Sequence, residues 1–124
     1  MVMLKKTAFT INYDNMHRFG DLVLVSFPFT DASGIKKRPA LVLLDFEDGD
    51  VLATRVSTQS NGSEFDVDIA DWQASGLLAP SFARLHKMAT LSSSLIEKKL
   101  GTLSRQDAPK IKYKLQQLVE TIIK

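Results

Sequence analysis

The chain has 124 residues, 44% of them apolar and 24% charged, with a formal charge of +2 at pH 7, as expected of one ordinary globular domain around one core. It has no cysteine, which excludes disulfides, thiolate metal sites and cysteine nucleophiles and is compatible with the cytoplasm. No apolar run approaches the roughly 20 residues of a membrane span, and the opening MVMLKKTAFTINYDN has no sustained apolar stretch after its two lysines, against a secretory signal.

Residues 1–18 carry no clear period and read as an extension of a single domain over 19–124; Ala8–Tyr13 is either a strand or a loose arm. Leu22–Pro28 is the first firm strand. Leu22, Leu24 and Ser26 alternate with Val23, Val25 and Phe27, so both faces are mostly apolar and the strand is expected to be central. Pro28 ends it, and Thr30–Gly34 is turn chemistry. Lys36, Lys37 and Arg38 then sit in a loop that meets the start of a strand, with Pro39 fixing the exit. Ala40–Phe46 is the second strand. The connection is too short for a crossover helix, so the pair is antiparallel.

Glu47–Asp50 reads as a hairpin turn with Gly49 at positive φ. Val51–Thr58 is the third strand, with Val51, Ala53, Arg55 and Ser57 on one face and Leu52, Thr54, Val56 and Thr58 on the other. Glu64–Ile69 alternates again, Phe65, Val67 and Ile69 inward and Glu64, Asp66 and Asp68 outward. Asp71–Gly76 reads as one helical turn capped by Asp71 and stopped by Gly76. Phe82–Leu91 is a further strand, Ser92–Leu95 a turn and Ile96–Leu103 a last short strand. Ser104 is the N-cap of the one convincing helix, with Asp107 at capping-box spacing and Pro109 in the first turn. Ile111, Leu115, Leu118, Val119 and Ile122 form its packing face, and Lys110, Lys112 and Lys114 a solvated one. The class is therefore mainly β with a C-terminal α-helix.

The cations cluster better than the net charge suggests. Lys36–Arg38, Arg55, Arg84 and Lys87 fall near strand ends, while the acids concentrate at Asp45–Asp50 and Glu64–Asp71. With only His17 and His86, no histidine-rich zinc site is expected, and neither metal nor cofactor is. Trp72 and Phe65 read as core rather than as base-stacking platforms, and His17 is given no role.

The chain resembles the PemK/MazF family of toxin endoribonucleases over roughly residues 19–122. The matching pieces are Gly20-Asp21 before an apolar strand, Gly34 to Leu43 with its Arg38-Pro39 pair, and Val56-Ser57-Thr58-Gln59. Pro80-Ser81, Ala83-Arg84-Leu85, Thr90-Leu91 and Leu100 to Ser104 follow in order. The resemblance implies an SH3-like small β-barrel, a homodimer, and cleavage of single-stranded RNA without metal through attack of the 2′-OH, leaving a 2′,3′-cyclic phosphate. It also implies a cognate antitoxin, and a toxin–antitoxin complex that binds operator DNA.

Carried over residue by residue, Arg38 matches the catalytic arginine before proline, and its forked guanidinium suits phosphate oxygens. Ser57 stands where the family has Thr or Ser, a hydroxyl able to donate to a phosphate oxygen. Arg84 matches the arginine of an R-x-D pattern that here reads Arg84-Leu85-His86. His86 stands in place of the aspartate, and imidazole is itself capable of acid–base work near neutrality. Lys36, Lys37, Arg55, Thr58, Gln59 and Lys87 are the expected RNA contacts, with Arg55 alternatively pairing with the Asp45–Asp50 turn. Two other readings stand beside the nuclease. One is a gyrase-targeting toxin on the same barrel, working through the C-terminal helix. The other is a non-catalytic RNA- or protein-binding module, suggested by His86 in place of aspartate.

Overall fold

A computed structural model describes residues 16–28 and 35–124; the Ala8–Tyr13 segment and the Thr30–Gly34 turn lie outside them. Six strands, β1 (Asp21–Pro28), β2 (Ile35–Asp45), β3 (Asp50–Ser57), β4 (Asp66–Ile69), β5 (Ser81–Ser92) and β6 (Ile96–Thr102), precede one helix, α1 (Asp107–Ile122). They form one antiparallel sheet in the order β4-β5-β3-β2-β1-β6. No hydrogen bonds join β4 to β6 among the described residues, so the sheet is barrel-like but not closed. β1 lies between β2 and β6, and packing covers both its faces: Leu22 on one side and Val23 and Val25 on the other are fully buried.

The two faces of the sheet have different fates. Leu22, Leu41, Leu43, Val56, Val67, Ile69, Ala83 and Leu85 join Leu103 and Ile111 of the C-terminal segment in the main core, with Phe65 and Trp72 packed against it. Val23, Val25, Ala40, Val42 and Ala53 make a smaller core on the opposite face. The connection from β5 to β6 crosses the sheet on that side, and Leu91, Leu95 and Ile96 pack against this smaller core. A 3-10 turn, Ser93–Leu95, makes the corner.

β2 begins earlier than its apolar run suggests. Lys36, Lys37, Arg38 and Pro39 are strand residues paired with β1, not a loop. Pro39 is tolerated because β3 pairs with β2 only from Ala40 onward, so Pro39 has a neighbour strand on one side only. In the β2–β3 hairpin Gly49 has φ 98°, and Glu47 is also left-handed at φ 61°; the Asp45 carboxylate accepts the Glu47 N–H at 2.7 Å and stabilises the bend.

The turn at Asp71–Gly76 is held by backbone bonds such as Leu77 N–H to Trp72 C=O, 2.9 Å. Its cap differs from the expected one. Asp107, fully buried at the start of α1, accepts the N–H groups of Ala70 (3.1 Å) and Asp71 (2.8 Å), so the cap comes from the far end of the chain and not from Asp71. Asp107 therefore does not close a capping box; Ser104 does accept the Asp107 N–H, at 3.1 Å. Lys110 is drawn into the same cluster, 2.8 Å from the Asp107 carboxylate and 2.9 Å from the Asp68 carbonyl. Lys112 lies over the Phe19 ring, 5.1 Å from its centroid. The lysine face is thus only partly the solvated face expected. The packing face is shorter than its sequence pattern: Ile111 is fully buried, but Val119 and Ile122 are exposed.

Ser75 closes the turn with a fully buried hydroxyl that finds no partner among the described residues. Ser75→Ala is expected to hold or raise stability by about 1 kcal/mol, since it removes a desolvated group that makes no bond. Thermal unfolding checks this, and a clear fall in melting temperature would show that the hydroxyl is bonded in solution.

Candidate active site

The alternation of β3 and the strand registers bring the candidate residues to one face. Ala40 pairs with Arg55, Arg55 with Arg84, and Arg84 with Asp66. Direct cross-strand partners share a face. Residues two apart also share it, which adds Arg38 and Ser57. This is the face opposite the main core and α1. Arg38 and Arg55 keep partial or full exposure, and among the described residues neither is held by a carboxylate. Arg55 therefore does not pair with the Asp45–Asp50 turn. Ser57 accepts the N–H of Gln59 at 3.1 Å, which leaves its own O–H to donate. Thr58 and Gln59 follow β3 in an exposed loop.

The lysines are less uniform. Lys36 has the parity of Arg38 and is exposed. Lys37 points to the other face, where it pairs with Glu97 at 2.9 Å; Glu97 also accepts the Ser26 hydroxyl. An RNA contact by Lys37 would compete with that pair.

β5 carries an irregularity that matters. Thr54 pairs with Met88 and the next residue, Arg55, with Arg84, so residues 85–87 form a bulge. Leu85 is buried in the main core, while His86 and Lys87 are both exposed. The buried Thr54 hydroxyl donates to the Arg84 carbonyl and pins the bulge from below.

The acidic residues are not segregated from this site as the sequence pattern suggests. Asp66 does point away from the main core, but that direction is into the site. Its side chain is only 2% exposed and its Oδ1 accepts Arg84 Nε at 3.0 Å, with the Arg84 side chain 9% exposed. Asp66 Oδ2 accepts the Ser60 hydroxyl at 2.9 Å and the Asn61 N–H at 3.3 Å. His86 completes the group: its Nδ1 is 3.4 Å from Ser63 Oγ and 3.8 Å from Asp66 Oδ1, and its Nε2 is 3.4 Å from Arg84 Nη2. Burial pushes the Asp66 carboxyl up, but Arg84, Ser60 and the Asn61 N–H outweigh it and hold it below the ordinary carboxylate range. Asp66 is thus a fixed anion at working pH. The signal that would have found it was the pairing register of β4 on β5, a long-range property. Among the described residues no three His, Asp or Glu side chains gather in metal-binding fashion.

The family model of the PemK-like, MazF-like toxins of type II toxin–antitoxin systems matches residues 18–119. The chain belongs to this family. No curated protein matches it at the level of sequence. Among solved structures, the Mycobacterium tuberculosis toxin MazF-mt6 is 17% identical with a TM-score of 0.63, covering 79% of this chain and 96% of that one. A mycobacterial endoribonuclease in complex with its cognate antitoxin is 16% identical with a TM-score of 0.67, covering 85% and 96%. A MazE–MazF complex from Deinococcus radiodurans is 22% identical with a TM-score of 0.66, covering 84% and 96%. The PemK/MazF fold is therefore shared across most of this chain. Its departure from the R-x-D pattern, at His86, sits beside a carboxylate that reaches Arg84 from the neighbouring strand.

Proposed function

We propose that this PemK/MazF toxin is an endoribonuclease that cleaves single-stranded RNA without a metal, by attack of the 2′-OH on the adjacent phosphate to give a 2′,3′-cyclic phosphate. The single observation that carries the reading is the gathering of Arg38, Arg55, Ser57, Arg84 and His86 on one sheet face, away from the main core. The reaction needs a base for the 2′-OH proton, a proton for the leaving 5′-oxygen and fixed donors for the charge on the phosphoryl oxygens. The nucleophile belongs to the substrate, so no activated side chain is required. Arg38 supplies forked, permanently charged donors, Ser57 a neutral one, and His86 the proton-accepting group. Arg55, Lys36 and Lys87 hold the phosphate backbone, with Thr58 and Gln59 at the rim.

The mycobacterial and Deinococcus relatives are seen with antitoxins, and by the same logic an antitoxin segment covering Arg38 and Arg55 would block RNA by competition. The proposed working form is a homodimer, and its antitoxin complex the form that meets operator DNA.

The test uses a long single-stranded RNA in EDTA, with fragment ends read for 2′,3′-cyclic phosphate. Arg38→Ala is expected to lower the single-turnover rate by about 100- to 1,000-fold, the usual loss of one charge-stabilising donor. Retained RNA without cleavage would favour the binding module, and topoisomerase inhibition without RNA loss the gyrase-directed reading.

A further inference from the structure

We infer that Asp66 is a positioning residue for catalysis, a carboxylate supplied from β4 that holds Arg84 and orients the His86 ring in place of the aspartate missing after Arg84. The inference rests on the nuclease reading above and adds the part that the sequence motif lacks.

The geometry assigns distinct tasks to the three side chains. Asp66 grips Arg84 through Nε at 3.0 Å, which leaves both terminal nitrogens of the guanidinium to other partners. Arg84 Nη2 then meets His86 Nε2 at 3.4 Å. A guanidinium only donates, so Nε2 must be the unprotonated nitrogen and the ring proton sits on Nδ1. Nδ1 faces Asp66 Oδ1 (3.8 Å), which only accepts, and Ser63 Oγ (3.4 Å), a hydroxyl that can accept as well as donate. The Arg84 contact and the Asp66 carboxylate both favour the Nδ1–H tautomer, and the Ser63 hydroxyl is compatible with it. The charged groups facing the ring are Asp66 from β4 and Arg84 from its own strand.

This arrangement couples proton uptake to the release of Arg84. When Nε2 takes the 2′-OH proton, the O–H bond breaks, its electron pair forms the bond to phosphorus, and the P–O5′ bond breaks. The departing 5′-oxygen takes a proton from a solvent water, and the hydroxide left behind is neutralised when Nε2, on a side chain that is 30% exposed, returns its proton to solvent and the ring is restored to neutral. Protonated Nε2 no longer accepts from Arg84. Nη2 is freed to turn to a phosphoryl oxygen while Nε stays on Asp66, and the imidazolium faces the Asp66 carboxylate through Nδ1–H. The carboxylate thus holds the ring without itself exchanging a proton, the orienting role an aspartate plays behind a catalytic histidine.

The experiment combines single-turnover cleavage across pH 5 to 9 with nitrogen-15 NMR of the histidine rings in the full chain, His86→Ala assigning the signals. The neutral His86 ring of the unaltered protein is expected to be the Nδ1–H tautomer. Asp66→Asn is expected to cut the rate by about tenfold, less than the roughly 100- to 10,000-fold that a direct acid–base group contributes, and to change the pH profile of cleavage. The double variant Asp66→Asn/His86→Asp, which relocates the carboxylate to the R-x-D position, is expected to recover rate relative to Asp66→Asn. An Nε2–H tautomer, or a folded Asp66→Asn protein with unchanged rate and pH profile, would overturn the inference while leaving the nuclease reading intact. Unaltered protein that leaves every RNA whole would remove the nuclease reading and this role with it.

Discussion

Gly76→Ala is expected to lower the melting temperature by roughly 15 °C or to prevent folding. A Cβ built at Gly76 would lie 2.1 Å from the Leu100 carbonyl oxygen and 2.6 Å from its carbon. Both are backbone atoms of β6, which cannot swing aside as a flexible side chain would. Gly76 also has φ +92°, a conformation that costs an L-residue about 1–3 kcal/mol. Overpacking adds about 1–3 kcal/mol or more, so the total is of order 4 kcal/mol, and each kcal/mol is worth a few degrees at this size. Gly101 faces the same crossing from the other side: its Cβ would lie 2.1 Å from the Ser75 carbonyl oxygen, without a left-handed φ. Gly101→Ala is therefore expected to be damaging but milder. The crossing joins the turn before β5 to the bulged part of β6, where Leu22 pairs with Gly101 and Val23 with Lys99. Thermal unfolding of both variants checks the argument, and a Gly76→Ala protein melting within about 3 °C of the unaltered one would contradict it.

Asp107→Ala is the second large effect, about 3–5 kcal/mol, because a fully buried carboxylate with one cation and two backbone donors is removed and its partners stay behind. Asp107→Asn keeps one acceptor and should lose less. The pH dependence gives a sharper test. Burial pushes the Asp107 carboxyl up, but Lys110 and the N–H groups of Asp71 and Ala70 outweigh it, leaving it below its ordinary value of 3.8. A carboxyl whose folded pKa is lowered contributes stability that is fully present above its unfolded pKa and disappears as pH falls through the folded one. Asp66 acts in the same direction. Stability of the unaltered protein should therefore be level from neutrality down to about pH 5 and fall below about pH 4. Asp107→Ala should start lower at neutral pH and fall less steeply in acid. Denaturant midpoints at pH 7 and pH 3 measure this, and parallel curves for the two proteins would show that Asp107 does not carry the linkage.

Local patterns made much of this molecule legible. Period-two alternation in Val51–Thr58 placed Arg55 and Ser57 together, and they do lie on the outer face of β3. The Ser104 cap and the helix after it also followed from local chemistry. What stayed hidden depends on contacts between distant segments. Nothing near Arg38 shows that its basic stretch is paired; the partner is β1. Alternation correctly turned Asp66 outward, yet only the register of β4 on β5 shows that outward means beside Arg84. The bulge that exposes both His86 and Lys87 breaks strand alternation, so no period-two reading of Phe82–Leu91 would place them. Asp107 carried two local meanings, helix cap and first-turn acid, and its main partners Ala70 and Asp71 lie on a remote turn.

The same dependence on remote contacts bears on the order in which the candidate site is assembled. Arg38 emerges from the ribosome early, but Arg84 and His86 are aligned only after β5 has paired with both β3 and β4. The turn that leads from β4 toward β5 is fastened by Asp107, a residue near the end of the chain. Chains grow from the N-terminus, and non-local strand pairing is slow to reward its loop-closure cost. A chain lacking the last helix is therefore expected to carry these cations without the aligned cluster.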